Sequence, residues 1–221
     1  MVNQVLVGLT AEGKTDYRFF ENLITKLLIE IGYDCKHDIN FTLIPLVNSE
    51  QSYTKKVIKA AEVGKKDFGI SILVIHKDAD SNSDESTFKS SIIPAQKAVS
   101  ELSCGTHCLN IVALVPVQMT EAWMLADREL LKEQIGTKKS DEELGILKRP
   151  ESYTNPKKII EEAIRIARSE LTKRRRGKLE LSELYLPIGQ KISLEKLDKL
   201  ESYRKFKESV RDAFRKLNLL D

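Results

Sequence analysis

Residues 72–80 read ILVIHKDAD, a short apolar run followed at once by charged residues. The four apolar residues that open it predict a buried strand. Asp78 and Asp80 come directly after that strand. In parallel sheets the loops at the carboxyl ends of strands are the usual place for ligands. This stretch therefore predicts an α/β sheet with two carboxylates at its carboxyl edge.

Two carboxylates separated by one residue repel each other unless a cation lies between them. A hard divalent cation such as Mg²⁺ or Mn²⁺ is the natural counter-ion, because it prefers carboxylate oxygens. The alternative is that Asp78 and Asp80 only solvate a loop and cap the next helix, and the pair alone does not decide between the two. The nearby Asp84 is more typical of a helix cap than of a metal ligand.

Strands and helices alternate along the first 130 residues. Apolar runs predict strands at residues 4–10, 41–47, 69–75 and 109–115, and Pro45 indicates an edge position for the second. Helical spacing predicts a helix capped by Thr15 or Asp16 and ended by Gly32, others at 53–64 and within 82–102, and one at 120–131 capped by Thr120. This order predicts a parallel four-stranded sheet with helices on both faces.

The remaining residues, 131–221, contain no convincing strand. Helices are predicted at 156–176 and 193–220, so we expect an α/β domain at 1–130 and a basic helical appendage at 131–221 packed on it. Residues 1–144 hold 16 Lys and Arg against 21 Asp and Glu, whereas residues 145–221 hold 20 against 12. An acidic part joined to a basic part suits a polyanionic substrate, although basic helices are also common as plain solvated surface.

A basic cluster between the two predicted helices is the best candidate for phosphate contacts. Such contacts position a nucleic acid without reading its sequence. A solvated loop is an equally good interpretation. The cluster consists of Lys173, Arg174, Arg175, Arg176 and Lys178.

Composition narrows the class of protein. The chain has 221 residues, of which 41% are hydrophobic and 31% charged, as in soluble globular proteins. No apolar run approaches the roughly 18 to 20 residues of a membrane helix, and the N-terminus lacks signal-peptide features, so a cytoplasmic location is expected. The three cysteines do not form a disulfide framework. Cys104, His107 and Cys108 lack the second ligand pair of a typical zinc site.

Carboxylates follow three of the four predicted strands. Glu12 ends the first, Asp78 and Asp80 end the third, and Glu121 follows the fourth, while Asp16 lies one turn into the first helix. Because these strand ends share one edge of a parallel sheet, we expect the side chains to converge. One or two metal ions held by such carboxylates bind a phosphate and activate a water.

A competing motif overlaps the first strand. Residues 8–15, GLTAEGKT, match the phosphate-loop pattern G-x-x-x-x-G-K-[ST]. Gly8 lies inside the apolar run, which leaves a short loop, and Glu12 would place a negative charge in the phosphate cradle. A nucleotide-binding protein that uses Lys14 remains an alternative at this point.

The residues carry a resemblance to a known fold family. Glu12-Gly13 with Thr15-Asp16 after the first strand, and Asp78-x-Asp80 after a later one, resemble the Toprim domain of topoisomerases, primases and overcoming-lysogenization-defect nucleases. Residues 116–127, PVQMTEAWMLAD, are similar to the P-x-x-x-x-E-A-W-x-L-A-D signature of small stand-alone Toprim-like proteins. Asn155-Pro-Lys-Lys158 and Tyr203-x-x-Phe206 resemble the C-terminal pattern of that family, so the similarity spans nearly the whole chain.

The resemblance implies a function and a set of roles. Glu12 would be a metal ligand and general base, Asp78 and Asp80 would hold Mg²⁺ or Mn²⁺, and Glu121 and Asp16 would assist. The implied activity is metal-dependent cleavage of DNA or RNA, with transfer RNA among the candidates, in bacterial phage defence beside an ATPase partner. The alternatives are a non-catalytic module that binds nucleic acid or a partner, and the nucleotide-binding protein described above.

Overall fold

The computed structural model describes residues 3–169 and 179–221. Four strands form one parallel sheet in the order β2-β1-β3-β4. This confirms the predicted fold class, and β2 lies at an edge, as Pro45 indicated. The strands are β1 (Asn3–Thr10), β2 (Ile39–Pro45), β3 (Ile72–His76) and β4 (Ile111–Leu114).

Ten α-helices are described in these two ranges. The first five are α1 (Lys14–Gly32), α2 (Tyr53–Val63), α3 (Glu85–Thr87), α4 (Ile93–Ser100) and α5 (Thr120–Met124). The others are α6 (Arg128–Ile135), α7 (Pro156–Ala167), α8 (Tyr185–Lys191), α9 (Leu194–Leu197) and α10 (Glu201–Lys216). Short π-helical turns (Gly64–Phe68, Phe88–Ile92) and 3₁₀ turns (Pro150–Ser152, Leu181–Glu183) complete the elements.

Helices cover both faces of the sheet because strand side chains alternate in direction. Val7 and Val74 point to one face, where they share a core with α1, α5 and the helices of the C-terminal part. Leu73 and Ile75 point to the other face, which α2 and α4 cover. The described C-terminal helices therefore bury their apolar sides in the same core as α1.

The contact between α1 and α8 depends on a glycine. A Cβ atom at Gly189 would lie 2.4 Å from the carbonyl oxygen of Phe19 and 2.9 Å from its Cα. Backbone atoms cannot move aside as a flexible side chain can, so only glycine permits this approach. Gly189 thus sets how closely the C-terminal part packs on the first helix.

Several predicted helix boundaries were wrong. The stretch 120–131 is two helices, because Asp127 caps α6 by accepting a hydrogen bond from the Leu130 N–H at 3.2 Å. Thr120 is the first residue of α5 and Met119 is its cap. The cap of α1 is Gly13, whose N–H donates to Asp16 over 2.8 Å, instead of Thr15 or Asp16.

The helix predicted at 156–176 ends earlier, at Ala167. The basic cluster Lys173, Arg174, Arg175, Arg176 and Lys178 lies outside the described residues. Among the helices that the structure describes, none is long and apolar enough to cross a membrane.

Candidate functional site

The carboxyl edge of the sheet gathers the acidic residues that the sequence singled out. Glu12 lies in the turn between β1 and α1, and Asp16 in the first turn of α1. Asp78 and Asp80 follow β3, and Glu121 is in α5, after β4. The charges of Asp78 and Asp16 both act on Glu121, and those of Asp78 and Glu12 act on Asp80. The structure thus brings all five carboxylates to one neighbourhood, which we call the acidic rim.

Negative charge at the acidic rim is only partly compensated. Burial raises the pKa of Asp16, and the nearby Asp78 adds to that effect, although His76 opposes it. Burial and repulsion from Asp78 and Glu12 raise the pKa of Asp80. The pKa of Glu121 is also raised by burial, despite its hydrogen bond to Tyr185. Three carboxyl groups therefore lie where an added positive charge would be favourable.

Thr120 connects two of the acids. Its hydroxyl donates to Asp16 Oδ1 at 3.1 Å and lies 3.3 Å from Asp78 Oδ1. Its backbone N–H donates to the same Asp78 oxygen at 2.9 Å. Because Thr120 opens α5, that N–H has no partner within the helix and is available to a carboxylate. Thr120 therefore holds Asp16 of α1 and Asp78, which follows β3, in place.

His76, the last residue of β3, lies beneath these acids and is fully buried. Its Nε2 is 3.2 Å from Asp78 Oδ1 and its Nδ1 is 3.9 Å from Asp16 Oδ2. Burial alone would lower the pKa of His76, but the hydrogen bond to Asp78 and the charges of Asp78, Asp16 and Glu12 raise it overall. His76 is thus held against two acids of the acidic rim, Asp78 and Asp16.

Glu12 has partners from the loop after β3. Its Oε1 is 2.9 Å from Lys77 Nζ, and its Oε2 accepts a hydrogen bond of 3.1 Å from the Asp78 N–H. The side chain of Glu12 is still 37% exposed, which leaves it accessible to a ligand. The ammonium of Lys77 lies 5.3 Å from the centre of the Tyr53 ring, within the range of a cation–π contact.

Glu121 is held from the C-terminal part of the chain. The hydroxyl of Tyr185, the first residue of α8, donates to Glu121 Oε1 at 2.5 Å. Burial and the charge of Glu121 raise the pKa of Tyr185, so the phenol keeps its proton. This contact places a helix of the C-terminal part directly against the acidic rim.

The loops after β3 and β4 carry unusual backbone conformations at the acidic rim. Asp80 has φ 52° and Gln118 has φ 63°, both in the left-handed region. The Asp80 N–H donates to the Gln118 carbonyl at 2.7 Å, and the Gln118 N–H donates to the Ser81 carbonyl at 2.9 Å. Non-glycine residues with positive φ are strained, and such strain clusters at functional sites.

The donors at the acidic rim suit a hard divalent cation in chemistry, because they are carboxylate oxygens. Within the parts of the chain that are described, Asp78 Oδ2 and the carboxylate of Asp80 accept no hydrogen bond. However, no three His, Cys, Asp or Glu side chains in residues 3–169 and 179–221 converge as a formed metal site. The predicted set of metal ligands thus stays a prediction, and several of its members accept hydrogen bonds from the protein itself. The set is Glu12, Asp16, Asp78, Asp80 and Glu121.

The phosphate-loop pattern does not form a phosphate cradle. Gly8 lies inside β1, where it pairs with Ile44 and Leu73. Only residues 11–13 separate β1 from α1. The N–H of Gly13, which a phosphate would need, already donates to Asp16. This geometry gives no support to nucleotide binding through Lys14.

Other residues noted in the sequence have structural roles. Asp84 accepts hydrogen bonds from Lys205 Nζ at 2.9 and 3.1 Å. Trp123 is buried in the core, where it meets Phe20 edge to face. Cys104 is exposed and Cys108 is buried, and no zinc site forms from described residues at this loop.

Sequence reasoning missed Lys56, Tyr53 and Tyr185. Lys56 Nζ donates to the Ala11 carbonyl at 2.6 Å, and burial lowers its pKa despite the nearby Glu12 and Asp16. The Tyr53 hydroxyl is buried without a hydrogen-bond partner among the described residues. These three residues reach the acidic rim from helices that carry no recognisable motif, so no sequence signal identified them.

Comparisons with models of protein families, with curated proteins and with solved structures gave no significant match.

Proposed function

We propose that the chain is a metal-dependent phosphodiesterase of the Toprim type that cleaves DNA or RNA at the acidic rim. The observation that carries the proposal is that five carboxylates influence one another at the carboxyl ends of the strands, with raised pKa values for three of them. They are Glu12, Asp16, Asp78, Asp80 and Glu121. Carboxylates that repel one another are typical of a site that binds a cation.

Glu12, Asp78 and Asp80 would hold Mg²⁺ or Mn²⁺, with Asp16 and Glu121 as supporting carboxylates. When bound, the cation would neutralise these acids and polarise the phosphate of the substrate. The side chains of His76 and Thr120 already hold Asp78 Oδ1 in place. The other oxygen, Oδ2, is therefore available to a cation.

Hydrolysis requires a water oxygen to bond to phosphorus while one phosphorus–oxygen ester bond breaks. Glu12 is an accessible acid beside Asp78, and we propose that it accepts the proton of the attacking water. Lys77, which now pairs with Glu12, has an ammonium that a non-bridging phosphate oxygen could contact. The leaving oxygen takes a proton from solvent.

The direct test is cleavage of labelled single-stranded DNA, duplex DNA and transfer RNA by the purified chain with Mg²⁺ or Mn²⁺. Asp78→Ala and Asp80→Ala are expected to abolish cleavage, and Glu12→Gln to reduce it by 100-fold or more, in the range of a lost general base. Asp67→Asn is the matched control, because Asp67 is exposed and precedes β3. It therefore lies toward the amino ends of the strands, away from the acidic rim. Failure to cleave any of these substrates with either metal would contradict activity of the chain alone.

A second function, a non-catalytic module that binds nucleic acid, is favoured by one observation. Glu12 is paired with Lys77 and Glu121 with Tyr185, so the acids are already occupied by partners within the chain. This alternative predicts nucleic-acid binding that Glu12→Gln does not change and no cleavage. A role in phage defence with an ATPase partner rests on the sequence resemblance, and co-purification with that ATPase tests it.

A further inference from the structure

A cavity of about 910 Å³ lies beside the acidic rim and is not part of it. Its wall includes Leu125 and Ala126 after α5, the 3₁₀ turn Pro150–Ser152, and residues of α9 and α10. Five positively charged side chains line it, and none of them belongs to the acidic rim. Arg128 pairs with Asp141, and the other four are Arg149, Lys196, Lys199 and Arg204.

The carboxylates of the same wall are already neutralised. Asp141 pairs with Arg128 at 3.2 Å and with Lys132 at 2.9 Å, and Glu129 pairs with Lys132 at 2.7 Å. Glu201 pairs with Lys205 at 3.2 Å, an ammonium that it shares with Asp84. Each of these three carboxylates therefore has a cationic partner other than Arg149, Lys196, Lys199 and Arg204.

The fourth carboxylate, Glu151, serves the start of α10. It accepts hydrogen bonds from the N–H groups of Glu201 and Ser202, each at 3.2 Å, and from the Ser202 hydroxyl at 2.5 Å. The partial positive charge of a helix N-terminus compensates a carboxylate in this position. Glu151 is therefore not available to pair with the cations of the cavity.

The other four cations have no carboxylate partners. Arg149, Lys196 and Lys199 are exposed and form no ion pair with any residue in 3–169 or 179–221. Arg204 donates to the Asp198 carbonyl at 2.8 Å and likewise pairs with no described carboxylate. Four like charges around one cavity repel one another, so an anion that bridges them would be stabilised.

The cavity is close to the acidic rim along α5. This helix begins at Thr120, which binds Asp16 and Asp78, and the cavity wall begins at Leu125. Five helical residues span about 7.5 Å. Phosphates of one B-form strand advance about 3.4 Å along the axis each, so two or three phosphates cover that distance.

We propose that this cavity is a subsite for the phosphate backbone of a nucleic acid that also reaches the acidic rim, two or three phosphates away. Arg149 and Arg204 can each bind a phosphate through two N–H groups, and Lys196 and Lys199 add compact charges. Contacts of this kind hold a strand in register without reading its bases. The nature of the ligand rests on the proposed function, whereas binding at the cavity does not require cleavage.

The test is fluorescence anisotropy with a labelled 20-nucleotide single-stranded DNA, in EDTA so that no cleavage occurs. The double variant Lys196→Gln/Lys199→Gln is expected to bind about 10- to 100-fold more weakly at 50 mM salt. The slope of log affinity against log salt should fall in magnitude by about 1.4, because each single-strand phosphate contact contributes about 0.7. Both lysines are exposed, so the variant should keep the unfolding curve of the native chain.

The matched control is Lys59→Gln/Lys66→Gln, which removes the same charge from lysines that pair with Glu62. Equal affinity and slope in the two double variants would overturn the proposal, as would equally effective competition by polyglutamate of the same charge. DNA binding that is lost with Lys196 and Lys199, in a chain that cleaves nothing, would support the subsite and reject the hydrolase. If the native chain cleaves nucleic acid and Lys196→Gln/Lys199→Gln binds DNA as well as the native chain does, the hydrolase is supported and the subsite is rejected.

Discussion

The hydroxyl of Thr120 donates a hydrogen bond of 3.1 Å to Asp16, although the two residues are 104 positions apart. Both are buried, and the same threonine also holds Asp78 through its backbone N–H. The start of α5, the first turn of α1 and the end of β3 are thus joined at one point. The geometry of the acidic rim therefore depends on a neutral side chain as well as on the acids.

Replacement of Thr120 by Val removes this hydroxyl with little change in shape. We expect the free energy of unfolding to fall by about 1–3 kcal/mol, because the buried Asp16 loses a donor. Urea denaturation measures the change. Thr25→Val is the control, since the Thr25 hydroxyl bonds only the Glu21 carbonyl at the surface of α1. Equal stability of the two variants would show that the Thr120 hydroxyl contributes nothing specific.

A divalent cation should stabilise the folded chain if the acidic rim binds it. At a Mn²⁺ concentration 100 times the Kd, the gain is about 2.7 kcal/mol. For a chain of this length that corresponds to a rise in Tm of about 5–11 °C. The double variant Asp78→Asn/Asp80→Asn should lose the rise, whereas Asp67→Asn should keep it. An identical rise in both variants would place the bound cation elsewhere.

Gly189→Ala should weaken the contact between α8 and α1. The added methyl group would meet backbone atoms of Phe19, so one helix has to move, at a cost of about 1–3 kcal/mol. Thermal unfolding followed by circular dichroism measures it. Gly105→Ala is the control, because its new Cβ would meet only the Ser103 hydroxyl, at 3.6 Å. A native-like Tm for Gly189→Ala would mean that the helices are not in this close contact.

Ser202 links the single tryptophan to Glu151. It accepts a hydrogen bond from Trp123 Nε1 at 2.8 Å and donates to Glu151. Ser202→Ala leaves the buried indole N–H without this acceptor, and we expect a loss of about 1–3 kcal/mol together with a change in tryptophan fluorescence. Ser209→Ala on the same helix should change neither quantity. Unaltered fluorescence in Ser202→Ala would contradict the link.

The contribution of Asp141 should depend on pH. Burial alone would raise the pKa of Asp141, but Lys132 and Arg128 outweigh it and hold the pKa below its ordinary value of 3.8. The stabilisation is therefore present above about pH 4 and is lost as the pH falls through the lower folded value. Asp141→Asn should cost about 1–2 kcal/mol at pH 7.

Urea unfolding between pH 7 and pH 3 separates this effect from others. The difference between the native chain and Asp141→Asn should shrink toward the acid end of that range. Asp67→Asn, at an exposed position, should show little difference at any pH. A difference for Asp141→Asn that is constant with pH would indicate lost packing instead of a lost charge.

The sheet could be predicted from the sequence because its strands are continuous apolar runs. Each of the four runs became a strand, with ends shifted by at most three residues. Pro45 also indicated the edge position of β2. By contrast, the strand order and the break between α5 and α6 follow from tertiary packing and from the Asp127 cap, which local periodicity does not reveal.

The sequence predicted which acids form the acidic rim, but it did not predict which residues contact them. Carboxylates after parallel strands must lie at one edge, so Glu12, Asp78 and Glu121 could be placed together in advance. Lys56 and Tyr185 approach from helices whose rotation depends on the whole core. No pattern in the sequence specifies that rotation.

The hydrogen bond from Tyr185 to Glu121 cannot form early in the synthesis of the nascent chain. A ribosome completes residues 1–130 well before it reaches α8, and at about 5–20 residues per second that interval lasts several seconds. During translation Glu121 therefore spends this time without the phenol that holds it in the finished molecule.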